Sequence, residues 1–253
     1  MQSYLTFHLP SDPVWRWCLL ALLSLWAISL FGGFILGPTR ANRRIPLRAR
    51  MLSSLALTIA AWVWFAFTIK TNRPAASYAL LIALGMSWGF LGDIFLARII
   101  TKKSTSSLLG GIGSFAVGHL FYIAGIILLA RALQQKPGPL VAAVLLFWLI
   151  AVAAWWLLIM RGSPSPSLLH WATLPYALLL ATTAGAALGL AWQQPLFYPL
   201  AAGAILFLSS DLILASSLFN DVELPLHHDI VWLTYGPGQM LIVYSIGAAV
   251  LAL

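Results

Sequence analysis

The chain has 253 residues, 61% of them hydrophobic and 8% charged, where an ordinary soluble domain carries about 25% charged residues. That composition excludes a soluble enzyme, and roughly 20-residue apolar spans joined by short connections use up the whole length, leaving no room for an extramembrane domain. The net charge of +8 belongs on membrane-flanking loops rather than on a nucleic-acid surface, and a single cysteine, Cys18, excludes an internal disulfide or a cysteine-ligated metal cluster.

Apolar runs punctuated by charge, Pro or Gly fall at 15–36, 51–70, 76–100, 108–133, 140–160, 168–192, 197–218 and 231–253. Uniformly apolar stretches such as Val141 to Ile150 lack the alternation of a membrane barrel strand, so the spans read as helices. The expected fold is all-α: one polytopic membrane domain of eight helices over 1–253. No cleavable leader is evident, so the first span is expected to stay.

Orientation follows from basic residues near span ends. Arg40, Arg43, Arg44, Arg48 and Arg50 follow the first span, Arg98, Lys102 and Lys103 the third, and Arg161 the fifth; the opposite face has Arg16, Lys70, Arg73, Arg131 and Lys136. Both termini are therefore expected outside and the odd-numbered connections in the cytoplasm, as for a bacterial inner-membrane protein. Tryptophans near span ends, Trp15, Trp17, Trp171, Trp192 and Trp232, read as interfacial anchors. Gly85 with Gly89, and Gly185 with Gly189, are spaced for close helix packing.

The third span contains Asp93-Ile94-Phe95-Leu96-Ala97 and the seventh Asp211-Leu212-Ile213-Leu214-Ala215, with Gly92 and Ser210 before them. A repeat offset by four helices keeps its orientation, which suggests two parallel halves of about 1–135 and 136–253. Each Asp lies seven residues before the end of its span, about 10 Å deep at 1.5 Å per residue. An ionisable group there costs about 2.5–3.5 kcal/mol facing lipid, so both are expected to point into the bundle. Two carboxylates sharing a low-dielectric cavity supply an acid beside a base.

Other polar groups gather in the same half of the membrane. The fourth span places His119 and Tyr122 on one face, and the eighth carries Tyr235 and Gln239 around Pro237, whose missing N–H leaves backbone groups to be satisfied inside protein or water. Gly110-Gly111-Ile112-Gly113 lacks the strand and the following Lys-Ser/Thr of a phosphate loop. His227, His228 and Asp229 are consecutive, cannot all face one ion, and read as a solvated acidic loop with Asp221 and Glu223. Nothing calls for a metal or an organic cofactor.

Gly92-Asp93, Gly118-His119-Leu120-Phe121-Tyr122, Pro175-Tyr176, Phe207-Leu208-Ser209-Ser210-Asp211 and Thr234-Tyr235 with Gln239 together resemble the YhhN-like membrane proteins, a family that includes the mammalian lysoplasmalogenases. The resemblance implies eight helices and an integral-membrane hydrolase that cleaves the vinyl ether bond of an alkenyl lysophospholipid, giving a fatty aldehyde and a glycerophospho-alcohol. It implies two acidic active-site residues, which map to Asp93 and Asp211. His119, Tyr122, Tyr176, Ser210, Tyr235 and Gln239 are then candidates to bind substrate or water, and Arg50 or Arg98 to meet its phosphate.

Two rival readings of the paired acids stay open. One is a proton-coupled transporter of a lipid or amphiphile, for which parallel repeats with intramembrane acids are normal. The other is an intramembrane aspartyl protease, although Phe90-Leu91-Gly92-Asp93 lacks the first glycine of that family's Gly-x-Gly-Asp motif.

Overall fold

A computed structural model describes residues 8–39, 43–161, 165–220 and 225–253; Arg40, Asp221 and Glu223 of the sequence reading lie outside them. Among the described residues eight helices are long and apolar enough to cross a membrane: α1 (Pro13–Leu36), α2 (Leu47–Thr71), α3 (Arg73–Leu96), α4 (Ser104–Ala132), α5 (Pro137–Met160), α6 (Leu169–Gln193), α7 (Pro195–Phe219) and α8 (His227–Ala252). No strand occurs among the described residues, so the all-α polytopic reading holds.

The helix ends follow from local chemistry. Asp12 caps α1 by accepting from the backbone N–H groups of Val14 and Trp15, which would otherwise be orphaned. Asn72 both ends α2 and starts α3: its Oδ1 accepts from the Ala75 N–H while its Nδ2 donates to the Val250 carbonyl of α8. The end of α3 differs from the sequence reading. Arg98 adopts a left-handed conformation (φ 58°), its N–H turning back to the Phe95 carbonyl and that of Ile99 to Ile94, so the helix stops at Leu96 instead of running to 100. The Phe95 carbonyl is met by the Ser107 hydroxyl, and Ile99 and Ile100 are left exposed.

Consecutive helices pack pairwise through each half of the chain, α1–α2–α3–α4 and α5–α6–α7–α8; α4 leans on α6, and α8 returns against α2 and α3. The main packing pairs of the first four helices recur four helices later. The closest approaches recur too. A Cβ on Gly118 of α4 would stand 2.9 Å from the Gly85 carbonyl of α3, and one on Gly238 of α8 would stand 2.9 Å from the Gly203 carbonyl of α7, so both crossings depend on glycine for backbone contact. Gly185 and Gly189 bring α6 against the α5 backbone at Val144 and Leu140, the packing role their spacing implied. Gly110 and Gly111 likewise seat Phe95 and Leu96.

Tryptophan divides in two. Trp17, Trp171 and Trp192 are exposed on the outer surface, as anchors are. Trp232, expected among them, turns inward instead and packs edge-on against Tyr235.

Candidate active site

The end of the bundle that carries the 36–47 and 96–104 connections also carries Arg43, Arg44, Arg48, Arg50, Arg98, Lys102 and Lys103. Beneath it lies a chamber of about 450 Å³, counting its mouth, lined by Arg50 of α2, Asp93 of α3, Phe115 of α4, Ser210 and Asp211 of α7, and Trp232 and Tyr235 of α8. Both intramembrane aspartates thus face one space, contributed by helices far apart in sequence.

They do not reach it from equal depth. Asp93 is three residues from the end of α3 and Asp211 eight from the end of α7, about 4.5 and 12 Å at 1.5 Å per residue. The equal spacing read from the sequence fails because the left-handed Arg98 ends α3 early while α7 runs on past 218. The chamber joins the two carboxyls despite the offset.

Their surroundings differ in kind. Asp93 is 3% exposed and takes two hydroxyl donors on one oxygen, Ser54 at 2.5 Å and Tyr235 at 2.9 Å, both to Oδ2. Behind Tyr235 stands an ordered relay: the Tyr122 hydroxyl donates to Gln239 Oε1 at 2.7 Å, and Gln239 Nε2 donates to the Tyr235 oxygen at 3.3 Å. With its oxygen already accepting from the amide, Tyr235 spends its proton on Asp93. Two donors on one oxygen fix the orientation of the Asp93 carboxyl at this end of the chamber.

Asp211 is only half-buried. Tyr176 of α6 donates to its Oδ2. Its Oδ1 has only a 3.3 Å contact from Ser210, whose hydroxyl makes a shorter bond of 2.7 Å to the Phe207 carbonyl. Asp211 also lines a second cavity, of about 710 Å³, running between α4, α5, α6 and α7 past Ile112, Ile159, Tyr176, Leu180 and Leu218. That cavity is almost wholly apolar. The two spaces share Leu96, Phe115, Asp211 and Leu214, so they adjoin at Asp211.

Arg50 sits in the first turn of α2 with its guanidinium 5.6 Å from the Trp232 ring centroid, within cation–π range. Its Nε is buried with no hydrogen-bond partner. A buried, unsatisfied guanidinium N–H at the mouth of a cavity is an unspent anion donor.

The remaining candidates are placed as follows. Tyr176, Ser210, Tyr235 and Arg50 line the two cavities, whereas His119, Tyr122 and Gln239 do not. Tyr122 and Gln239 form the relay behind Tyr235. His119 is buried with Nδ1 2.8 Å from Thr183 Oγ1 and its ring edge-on to Phe207 at 4.5 Å; it ties α4 to α6 and buttresses Phe207. Arg98 donates to Ser104 and is absent from both linings. The reading of 227–229 as a solvated loop is corrected: these residues form the first turn of α8, with His227 and Asp229 buried at 2% and 1% exposure. Asp229 accepts from the backbone N–H groups of Arg44 and Ile45 at 2.6 and 2.9 Å, pinning the segment before α2. Like Asp93 it is a buried acid, with a structural partner on each carboxylate oxygen. Among the described residues no cluster of three metal-ligating side chains occurs.

Sequence reasoning missed Ser54 and the inward turn of Trp232. Ser54 had a signal: it follows Arg50 by four residues, on the same helical face. Trp232 had one of the same kind, three residues before Tyr235.

The model of the YhhN family matches residues 46–246, from the start of α2 to within two turns of the end of α8. The chain belongs to the YhhN family. Neither the curated proteins nor the solved structures contain a significant match. The matched region takes in every residue that lines the two cavities.

Proposed function

We propose that this YhhN-family protein is a lysoplasmalogenase-like hydrolase, which cleaves the vinyl ether bond of an alkenyl lysophospholipid in the membrane. One observation carries the reading: a chamber lined by two aspartates and by an arginine whose Nε has no hydrogen-bond partner adjoins, at one of those aspartates, an apolar cavity. A lipid with one chain and a phosphate head has that same sequence of parts. Its chain lies in the apolar cavity, its phosphate meets Arg50 beside Trp232, and the bond between them crosses Asp211.

The substrate's direction assigns the two acids. In R–CH=CH–O–glycerol the carbon that accepts the proton is the one farther along the hydrocarbon chain. Asp211 borders the apolar cavity, and its Oδ1 carries only one long contact; it is the proton donor. Protonation leaves a cation shared between the neighbouring carbon and the ether oxygen, which the ionised Asp93 stabilises across the chamber. Asp93 then takes a proton from water as the water oxygen bonds to that carbon, giving a hemiacetal. Collapse breaks the carbon–glycerol oxygen bond, with the hemiacetal O–H losing its proton and the leaving oxygen gaining one. The products are a fatty aldehyde and glycerophospho-alcohol, and the proton lent by Asp211 is restored from Asp93 through water. Tyr235 and Ser54 hold Asp93 in place, and Tyr176 holds Asp211.

The basic residues concentrated at the chamber's end support a mouth on the cytoplasmic side by the positive-inside rule, and we propose a bacterial inner membrane as its location. The test is release of aldehyde from a 1-alkenyl lysophosphatidylethanolamine by purified protein. Release by wild type and its loss in Asp93→Asn and Asp211→Asn proteins of unchanged melting temperature are expected; full activity in either variant contradicts the paired-acid reading. Movement of intact lipid across sealed vesicles, with no aldehyde formed, would instead indicate transport.

A further inference from the structure

The helices α4 and α5 are joined by the short 133–136 connection, yet each leans on α6 rather than on the other. The wedge between them holds a groove of about 940 Å³, counting its open side, lined by Ile127 and Ala130 of α4, Leu140 and Val144 of α5, and Thr182 and Ala186 of α6. Arg131 and Gln135 stand at its mouth. The groove lies at the end of the bundle opposite the aspartates and shares no lining residue with either cavity there.

Four helices on, the equivalent wedge lies between α8 and α1, against α2, and there the chain fills it. The backbone at His8 lies so close to α8 that a Cβ on Gly247 would stand 1.9 Å from the His8 carbonyl oxygen and 3.1 Å from the Trp64 ring of α2. Pro10 beside it is buried and Leu9 packs on the core. One wedge is closed by protein; its counterpart is open at the outer surface of the bundle.

We propose that the open wedge is a binding site for an anionic glycerophospholipid, with one acyl chain along the groove and the phosphate held by Arg131 and Lys136. The apolar walls suit a hydrocarbon chain as the backbone of residues 8–10 suits the other wedge. The charges suit the head. Arg131 and Lys136 are both exposed, and neither the 133–136 connection nor its neighbour at 194–197 contains an acid. The backbone of Lys136 is anchored to α6, its N–H donating to Gln193 Oε1 at 2.9 Å and its carbonyl accepting from Gln193 Nε2 at 3.0 Å. Two exposed cations thus stand at the end of the groove that Arg131 lines, each adding about fivefold to the affinity for an anionic head group.

The site is tested by titrating delipidated full-length protein in a neutral detergent with palmitoyl-oleoyl phosphatidylglycerol or phosphatidylcholine, counting bound lipid by native mass spectrometry. One phosphatidylglycerol should be retained per chain, in preference to phosphatidylcholine. Arg131→Gln with Lys136→Gln should weaken it by about 25-fold, from fivefold per charge, and Val141→Trp, at an exposed groove position, should displace it by filling the space for the chain. Equal retention of the two lipids, or wild-type retention in either variant protein, overturns the proposal. Because the groove is remote from the aspartates, neither result depends on whether the protein cleaves a vinyl ether.

Discussion

Asp93 and Asp211 sit in related frames, each on the third helix of a four-helix half and each meeting a hydroxyl from the helix before it, Ser54 on α2 or Tyr176 on α6. What surrounds them differs. Asp93 is closed in, with two donors converging on one oxygen and a relay of Gln239 and Tyr122 fixing the second donor. Asp211 is half-buried at the border of a hydrocarbon-lined cavity, with one oxygen nearly free. Two sets of four helices packed in the same order thus hold unlike carboxyls, and the difference comes from what abuts them: α8 covers Asp93, while the gap between α4, α5 and α7 leaves Asp211 open.

The largest effects should come from removing either acid. Asp211→Asn and Asp93→Asn are each expected to lower kcat by at least about 100-fold in an aldehyde-release assay, with melting temperatures near that of wild type. If instead one variant retains most of its activity, the two carboxyls are not partners.

Arg50 comes next, because the proposed mechanism gives it the substrate's phosphate and no proton transfer. Loss of one charge-assisted hydrogen bond, about 1.5–3 kcal/mol, should raise KM about 10- to 100-fold in Arg50→Gln with little change in kcat. The same substitution should have little effect on a neutral alkenyl glycerol lacking phosphate, and an equal effect on both substrates would remove the phosphate from Arg50.

The tyrosines sharpen the contrast between the acids. Tyr235→Phe leaves Ser54 still donating to Asp93 and should reduce kcat by about tenfold, the worth of one hydrogen bond of about 1.5 kcal/mol. Tyr176→Phe removes the principal donor to Asp211 and should act on the protonation step, visible as an altered solvent isotope effect on kcat. An unchanged isotope effect in Tyr176→Phe would argue against Asp211 as the donor.

The smallest effect concerns the far wall of the apolar cavity. Leu218→Trp should shift the preferred chain by a few carbons, each methylene being worth about 0.8 kcal/mol, and leave kcat on the best chain within about threefold. A preference that does not move would place the chain elsewhere.

Much of this was legible in the sequence. Spans of about 20 apolar residues have one solution in a bilayer, so the eight helices follow from composition and punctuation. The two acids were legible because a charge is costly in lipid wherever the helices pack. Depth was less so: the end of α3 depends on Arg98 taking a conformation that its side chain does not announce. The cavities were not legible, because they arise from gaps between helices, and a sequence records which faces are small, as at Gly85 and Gly118, rather than which spaces stay open. Trp232 was misread for the same reason, since a tryptophan near a span end suits a lipid surface and a cavity wall alike.

The most direct test of the unequal pair is to run the reaction in D2O and follow deuterium by mass spectrometry in both the aldehyde and the recovered alkenyl lysophospholipid. Wild type should release aldehyde with one deuterium on the carbon next to the carbonyl. Asp93→Asn, able to protonate but poor at adding water, should return unreacted substrate labelled on the vinyl carbon farther from oxygen, and Asp211→Asn should neither release aldehyde nor label the substrate. Labelling by Asp211→Asn and none by Asp93→Asn would reverse the assignment, and unlabelled substrate with no aldehyde from wild type would contradict the account as a whole.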